Sequence, residues 1–245
     1  MKKATITKET LKKLYRISDI SKIMYFERNV RLSAFTGTMR YGTTLTDLDD
    51  DFKIPINTLP LFISMIETAM GKGETVDIEY DVQEKDFGLD VKKLWTVSIK
   101  SATQHIVFYT SDSEDFEDII VKDLGDKSKN PKISESHMRF NLSSEVLKVM
   151  DKNCKILNAD TIEFRNEGDD VICKIWASNI PDSPITEIKV EGTSFANADD
   201  FPFSVKMFDV IDKNIDYDVV INCDKNAILF ANEADGTFYI SSRKK

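Results

Sequence analysis

Asp50-Asp51-Phe52 and Asp199-Asp200-Phe201 contain the same three residue types, and in each half of the chain the triplet comes before a predicted helix. On either side of this repeated triplet, both halves have the same order of predicted elements: a helix, four strands, a second helix and three strands. Two such domains, each with a sheet outside and two helices on one face, form a duplicated α+β architecture.

Hydrophobic periodicity and the enrichment of β-branched and aromatic residues place these elements along the chain. In the first half, we predict helices over 8–18 and 59–70, and strands over 22–27, 30–35, 39–45, 52–56, 75–81, 94–100 and 105–110. In the second half, we predict helices over 144–154 and 204–214, and strands over 160–165, 171–177, 186–191, 201–205, 218–222, 227–231 and 237–241.

The first predicted helix of each half has a capping residue and an apolar side. Thr7 is the predicted cap in the first half, and Ser143 or Ser144 in the second. The predicted inward side chains are Leu11, Leu14 and Tyr15 in the first half and Val146, Val149 and Met150 in the second. Amphipathic helices of this kind pack one side against a sheet.

An acidic segment separates the two halves. Residues 111–130 contain seven acids and three lysines, and Gly125 to Pro131 has the composition of a loop. We therefore predict an N-terminal domain over 1–112, an acidic connector over 113–131 and a C-terminal domain over 132–245.

Composition excludes several classes of protein. The chain has 245 residues, with 33 Lys and Arg against 42 Asp and Glu, so its net charge is −9. This balance excludes a uniformly basic coat for nucleic acid, but it allows a segregated basic patch. No run approaches 18 apolar residues, and the N-terminal residues lack the apolar stretch of a signal peptide. Three cysteines without CxxC spacing predict buried thiols in a reducing compartment.

The sequence offers no concentrated set of catalytic groups. The two histidines, His105 and His137, are in no metal-binding or nucleophile-activating motif, and we expect them to be structural or solvated. Gly71-Lys72-Gly73 has the wrong spacing for a phosphate loop and is interpreted as a helix C-cap and turn. Asp49-Asp50-Asp51 fits a solvated turn better than a divalent cation site. We expect no enzyme activity, no cofactor and no metal.

The lysines and arginines of the predicted helices are unevenly distributed around each helix. At 100° per residue, the basic residues of three predicted helices fall away from the apolar side, which is typical of any surface helix but also of a surface that contacts phosphates without reading bases. The candidate residues for contact with duplex DNA are Lys8, Lys12, Lys13, Arg16, Lys72, Lys148, Lys152, Lys155, Lys206 and Lys213. Such binding is independent of sequence and sensitive to salt.

Scattered segments across nearly the whole chain resemble the sliding clamps of tailed bacteriophages, which are DNA polymerase processivity factors similar in fold to proliferating cell nuclear antigen. The segments that carry the resemblance are Leu11-x-x-Leu14-x-x-Ile17-Ser18 with Ile23-Met24, Tyr41-Gly42-Thr43-Thr44 through Asp51-Phe52, Phe140-x-Leu142-Ser143-x-Glu145-Val146-Leu147, Leu157-Asn158-Ala159-Asp160-Thr161-Ile162, Ile228-Leu229-Phe230 and Thr237-Phe238-Tyr239.

The resemblance implies a viral, non-catalytic protein in the cytoplasm of an infected bacterial host. It implies a homotrimeric ring whose helices line a hole around duplex DNA, a DNA polymerase as partner and an ATP-dependent clamp loader. Partners of such clamps dock a short peptide in an apolar pocket, and the candidates here are Phe116, Ile119, Ile120, Val121, Phe230 and Tyr239.

Ring closure needs edge strands that pair between subunits. We predict that the strands at 104–110 and 186–191 pair head to tail, although a role in the domain core fits the same residues. The candidate interface residues are His105, Val107, Tyr109, Thr186, Ile188 and Val190. Two other hypotheses remain open: a phage head or tail protein with a duplicated β-rich domain, and a nuclease or hydrolase that uses Asp49 to Asp51 on a metal.

Overall fold

The computed structural model describes residues 1–33, 39–86, 91–111, 137–168, 170–194, 201–234 and 236–242. The chain divides into two compact units: unit 1 comprises 1–35 and 41–122, and unit 2 comprises 36–40 and 123–245. Each unit contains one of the predicted repeats.

The first repeat contains two long helices and eight strands among its described residues. In chain order they are β1 (Lys2–Thr7), α1 (Lys8–Ile20), β2 (Met24–Glu27), β3 (Asn29–Ser33), β4 (Met39–Thr44), β5 (Lys53–Ile56), α2 (Leu59–Met70), β6 (Thr75–Asp86), β7 (Val91–Lys100) and β8 (His105–Ser111). Antiparallel pairing gives a four-stranded sheet in the order β1-β6-β7-β8, and β2 pairs with β5.

The second repeat has the same order of elements. They are β9 (His137–Leu142), α3 (Ser144–Ile156), β10 (Thr161–Glu167), β11 (Asp170–Trp176), β12 (Thr186–Ser194), β13 (Phe201–Ser204), α4 (Met207–Val210), β14 (Tyr217–Asn222), β15 (Ala227–Asn232) and β16 (Thr237–Ser242). Its strands follow one another in the order β13-β10-β11-β12-β9-β14-β15-β16.

The duplication extends from element order to strand pairing. The neighbours β5-β2 and β1-β6-β7-β8 in unit 1 correspond to β13-β10 and β9-β14-β15-β16 in unit 2. The duplicated α+β fold predicted from the sequence is therefore confirmed. Each repeat also has a strand before its first helix that the sequence analysis did not predict.

Aromatic clusters fill the core of each unit. In unit 1, Phe62 on α2 lies 5.3 Å from Phe26 and 5.6 Å from Phe108, measured between ring centroids. In unit 2, Phe164 lies 5.3 Å from Phe140. Each buried side chain of this size stabilises the fold by about 1.5–3 kcal/mol through removal of apolar surface from water.

Three predicted details of the helices are wrong. The last helix, predicted over 204–214, is the single turn α4, because the Asp212 N–H donates to the Tyr217 hydroxyl (2.9 Å) rather than to a helical carbonyl. The inward side of α3 is Leu147, Met150 and Cys154, whereas Val149 is 50% exposed. Tyr15 on α1 is also exposed.

Candidate nucleic-acid interface

The start of α1 is held by side chains that satisfy its free N–H groups. Thr7 caps the helix as predicted and accepts from the Thr10 N–H at 3.4 Å. The carboxylate of Asp47 accepts from the Thr7 N–H (3.1 Å) and hydroxyl (2.7 Å), and it also accepts from the Thr10 hydroxyl. An anion at a helix N-terminus is favourable, so Asp47 stabilises the start of α1.

The outer side of α1 carries fewer available cations than the sequence predicts. Lys12 is exposed, and Lys8 is exposed but forms a 2.7 Å ion pair with Glu74. Arg16 is half-buried. The helix therefore presents cations to solvent, one of them paired with a carboxylate of its own unit.

The assignment of Lys13 to the exposed surface is wrong. Its residue is only 5% exposed, and its ammonium group donates to the Thr44 carbonyl at 3.1 Å. A buried ammonium needs such a partner because desolvation of the charge is costly. Lys13 therefore has a structural role inside unit 1.

The end of α2 forms the C-cap and turn that the sequence predicts. Gly71 has a φ of +53°, which favours glycine, and its N–H donates to the Glu67 carbonyl at 2.9 Å. Lys72 follows in this turn and is exposed. On α2 itself, the Glu67 carboxylate accepts from the Tyr15 hydroxyl at 2.7 Å, so α2 adds a negative charge to the outer side of this helix pair.

The start of α3 repeats the capping arrangement of α1. The Ser143 hydroxyl accepts from the Val146 N–H at 3.3 Å, as one of the two predicted caps. The Asp216 carboxylate accepts from the Ser144 N–H at 2.7 Å. Lys148 and Lys152, one turn apart, are exposed on the outer side of the helix.

A carboxylate bridges two further cations in unit 2. Asp151 accepts from Lys155 at 2.7 Å and from Lys213 at 2.8 Å. Burial favours a higher pKa for Asp151, but hydrogen bonds from the two ammonium groups outweigh it and lower the pKa below its ordinary value. The pKa of Lys155 is raised by its hydrogen bond to Asp151 and, more weakly, by the charge of Asp209, so two carboxylates lie close to these two lysines. Lys206, which precedes α4, is exposed.

Two of the predicted peptide-pocket residues belong to the core instead. Phe230 and Tyr239 are 0% and 1% exposed, and Phe230 packs edge to face on Tyr217 at 6.0 Å. Burial raises the pKa of Tyr239 to about 12. Their assignment to an open pocket is therefore wrong. The other candidates, Phe116, Ile119, Ile120 and Val121, lie outside the described residues.

The predicted interface strands differ in their surroundings. β8 is the last strand in its sheet, and His105, Val107 and Tyr109 on it are exposed, Tyr109 by 62%. β12 lies between β11 and β9, but β9 pairs only with Gly192–Ser194, so among the described residues Thr186–Glu191 pair on one side only.

The three predicted interface residues on this one-sided segment of β12 are at most half-exposed. Thr186 and Ile188 are half-buried, whereas Val190 is 5% exposed. Val190 therefore contributes no exposed side chain to a contact, contrary to its prediction. The backbone of Val190 still belongs to the segment of β12 that pairs only with β11 among the described residues.

A groove of about 710 Å³ opens where β12 separates from β9. Its lining includes Val146, Val190 and Glu191 and the ion pair of Arg139 with Asp218, whose Nε and Oδ1 atoms are 2.9 Å apart. This groove could not be predicted from the sequence, because its residues come from separate elements that only the fold brings together.

The acidic triplet does not gather into a cation site. Asp51 pairs with Lys2 at 2.7 Å, and Asp50 approaches Arg28 at 3.4 Å. Within the described part of the chain, no three His, Cys, Asp or Glu residues are grouped to hold a metal. Cys154 and Cys173 are buried thiols, and burial raises the pKa of Cys154 to about 12. No helix in the described segments is both long and apolar enough to cross a membrane.

Comparison with known proteins gives a match in structure and none in sequence. No family model matches the chain, and no curated protein sequence matches it. In a crystal structure of the PCNA2–PCNA3 complex from Sulfolobus tokodaii, one chain superimposes with a TM-score of 0.65 over 99% of each chain, at 8% sequence identity. The chain has the sliding-clamp fold. The outer sides of α1 and α3, where Lys12, Lys148 and Lys152 are exposed, are the candidate nucleic-acid interface predicted from the sequence.

Proposed function

We propose that this protein is a DNA sliding clamp, a ring that encircles duplex DNA and tethers a DNA polymerase to its template. The observation that carries the proposal is the sliding-clamp fold, which extends over 99% of this chain and of a PCNA chain. A tether of this kind raises the effective concentration of its partner at the DNA end and lowers no chemical barrier. The protein is accordingly proposed to be non-catalytic.

Lysines on the helix surfaces support contact with DNA. Lys12, Lys148 and Lys152 are exposed on the first helices of the two repeats, in a chain whose net charge is −9. Exposed lysines meet phosphates as flexible point charges, so contact is independent of sequence and permits sliding. Repulsion between the acidic remainder of the protein and DNA favours an orientation that turns these helices inward.

The ring is proposed to be a homotrimer joined head to tail. Among the described residues, β8 is the last strand of its sheet and Thr186–Glu191 of β12 pair on one side only, so each chain offers both strand edges that the proposed contact needs. Pairing of β8 with β12 of the next subunit closes a ring when the rotation fits. Three chains of 27.9 kDa have a mass of about 84 kDa, which light scattering measures directly. Replacing exposed Tyr109 by Glu on β8 is expected to shift this mass towards that of one chain.

The remaining parts of the proposal follow from the resemblance to phage clamps. They are an ATP-dependent loader that opens the ring, a tailed bacteriophage as source and the cytoplasm of the infected bacterial cell as location. Purification from infected cells with a tagged chain tests the polymerase and loader together.

An order-of-addition experiment tests encirclement without a loader. The protein is mixed with a linear duplex that carries biotin at both ends, and streptavidin is added either before or after it. A ring that threads over DNA ends is trapped at high salt only when streptavidin comes second. A restriction cut between the blocked ends should then release it. Retention that ignores the order of addition and the cut would show side-on binding and refute the clamp.

A further inference from the structure

One side of α3 exposes apolar side chains that neither the core nor contact with DNA explains. Val149 is 50% and Ile156 64% exposed, and half-buried Val146 lies one turn before Val149. These three residues follow one side of the helix and are called the α3 stripe. Lys148 precedes Val149 and Lys155 precedes Ile156, so each lysine lies about 100° around the helix from the stripe. The lysines can therefore face DNA while the stripe faces another surface.

The α3 stripe continues into the groove beside β12. Val146 and Val190 line that groove together, so the stripe begins near Thr186–Glu191, which pair on one side only among the described residues. An apolar surface that is continuous with an unpaired strand edge fits a protein partner better than a phosphate backbone. A chain that pairs with the β12 edge would therefore also meet α3.

Helix α2 offers a matching surface in unit 1. Its exposed side includes Leu61, Ser64 and Thr68, at i, i+3 and i+7, which are called the α2 strip, and Leu61 is 47% exposed. The Ser64 hydroxyl donates to the Pro60 carbonyl at 3.0 Å, and the Thr68 hydroxyl donates to the Ser64 carbonyl at 2.7 Å. Because both hydroxyls have a partner on their own helix, the α2 strip can leave water without an unsatisfied donor.

Contact with DNA suits α2 poorly. The helix has no basic residue between Leu59 and Met70, and its one charged residue is Glu67. It packs on the strand whose edge is proposed to pair between subunits, since Phe62 lies 5.6 Å from Phe108 of β8 between ring centroids. Helix α2 therefore accompanies the β8 edge as α3 accompanies the β12 edge.

We infer that the α2 strip of one subunit packs against the α3 stripe of the next, beside the pairing of β8 with β12. The inference rests on the proposed ring and names a second surface that closes it, with another copy of this chain as the occupant of the α3 stripe. A stable interface buries about 800 Å² on each partner, more than two short strand edges provide alone. Neither surface contains a charged residue, so the helix contact is apolar rather than ionic.

Charged substitutions on the two helices test this contact by light scattering over a dilution series. V149E/I156E and L61E should each raise the concentration at which the trimer dissociates by about 10- to 100-fold, because carboxylates would be buried in an apolar contact. Val82→Glu is the matched control and should leave the trimer intact. Val82 is 39% exposed on β6, which β7 separates from the β8 edge. Salt should leave the wild-type trimer intact, and dissociation promoted by salt would contradict an uncharged contact.

A rescue variant separates loss of the contact from loss of folding. In a head-to-tail ring every interface contains one α2 and one α3, so L61K/V149E/I156E places a cation opposite two carboxylates at each interface. It should assemble at a concentration about tenfold lower than V149E/I156E needs. Loss of the trimer in both charged variants without this rescue would show that they act through folding and would overturn the inference.

The remaining outcomes separate this inference from the ring itself. If Tyr109→Glu dissociates the trimer but V149E/I156E and L61E do not, the strands close the ring without the helices and the inference is overturned. If the helix variants keep the trimer but lose order-dependent trapping on DNA, the α3 stripe faces DNA and the inference is again overturned. A wild type that stays a single chain and is not trapped on blocked DNA would instead refute the clamp.

Discussion

Lys13→Ala separates a structural lysine from those proposed to contact DNA. Lys13 follows Lys12 in the sequence, yet its side chain is 6% exposed and its ammonium group donates to the Thr44 carbonyl at 3.1 Å. The substitution removes that hydrogen bond together with the buried methylene stem. We expect it to destabilise unit 1 and to leave DNA binding by the folded protein unchanged.

The magnitude follows from the two losses. A hydrogen bond from a charged donor contributes about 1.5–3 kcal/mol, and each buried methylene group about 0.8 kcal/mol. Ala is the best helix former and offsets a few tenths of this sum. We therefore expect the free energy of unfolding to fall by about 3.5–5 kcal/mol, which lowers the melting temperature by roughly 7–20 °C. Lys13→Met keeps most of the stem and should lose only about half as much.

Circular dichroism during heating measures the stability, and anisotropy below the melting transition measures binding to duplex DNA. Lys12→Ala is the matched control, since its exposed side chain should cost less than about 0.5 kcal/mol. A Lys13→Ala protein that melts with the wild type, or one that is stable but whose binding to DNA depends less steeply on salt, would show that Lys13 reaches solvent and would refute the placement.

Three further changes test other parts of the structure. Phe230→Ala should lower the stability of unit 2 by about 3–5 kcal/mol in urea unfolding, because the ring is 0% exposed, whereas a residue lining an open pocket would cost far less. Gly192→Ala should cost about 1–3 kcal/mol by the same assay, because its Cβ would lie 2.5 Å from that of Phe140; an unchanged urea midpoint would contradict the close approach. Hydrogen bonds from Lys100 and then Lys3 lower the pKa of Glu79 from 4.5 to about 2, so its stabilisation is present above pH 4.5 and is lost as the pH falls towards 2. Acid titration of Glu79→Gln, monitored by circular dichroism, should lack this part of the pH dependence, and identical acid profiles would count against the paired carboxylate.

The sequence predicted those elements whose own residues carry a clear helical or strand pattern. The helix over 59–70 was predicted with the bounds that the structure gives it, since it has an apolar periodic stretch, Pro at its start and Gly at its end. β1 was missed because Lys2–Thr7 has little apolar alternation of its own. It forms a strand by pairing with β6, from Lys2 opposite Tyr80 to Thr7 opposite Thr75, more than 60 residues away.

The candidate interface was less predictable, because burial of one helix side depends on what packs against it. α3 has apolar residues at Val146, Leu147, Val149 and Met150, which fit two overlapping stripes, and packing selects the one with Leu147 and Met150. Lys13 has the same ambiguity, since its partner carbonyl comes from β4, 31 residues further along the chain. Helical periodicity shows that a helix has a buried side and an exposed side, but it does not determine which residues lie at the boundary between them.

Cations at matched positions of the two repeats indicate that stability of the fold alone does not explain where they lie. Lys12 and Lys148 occupy the same position in α1 and α3, both exposed, while the neighbouring position holds a buried Lys13 in one repeat and an exposed Val149 in the other. Packing requirements have therefore diverged between the helices. Exposed lysines contribute little to stability, so folding does not account for their recurrence. The proposed contact of both helices with the phosphates of DNA accounts for it.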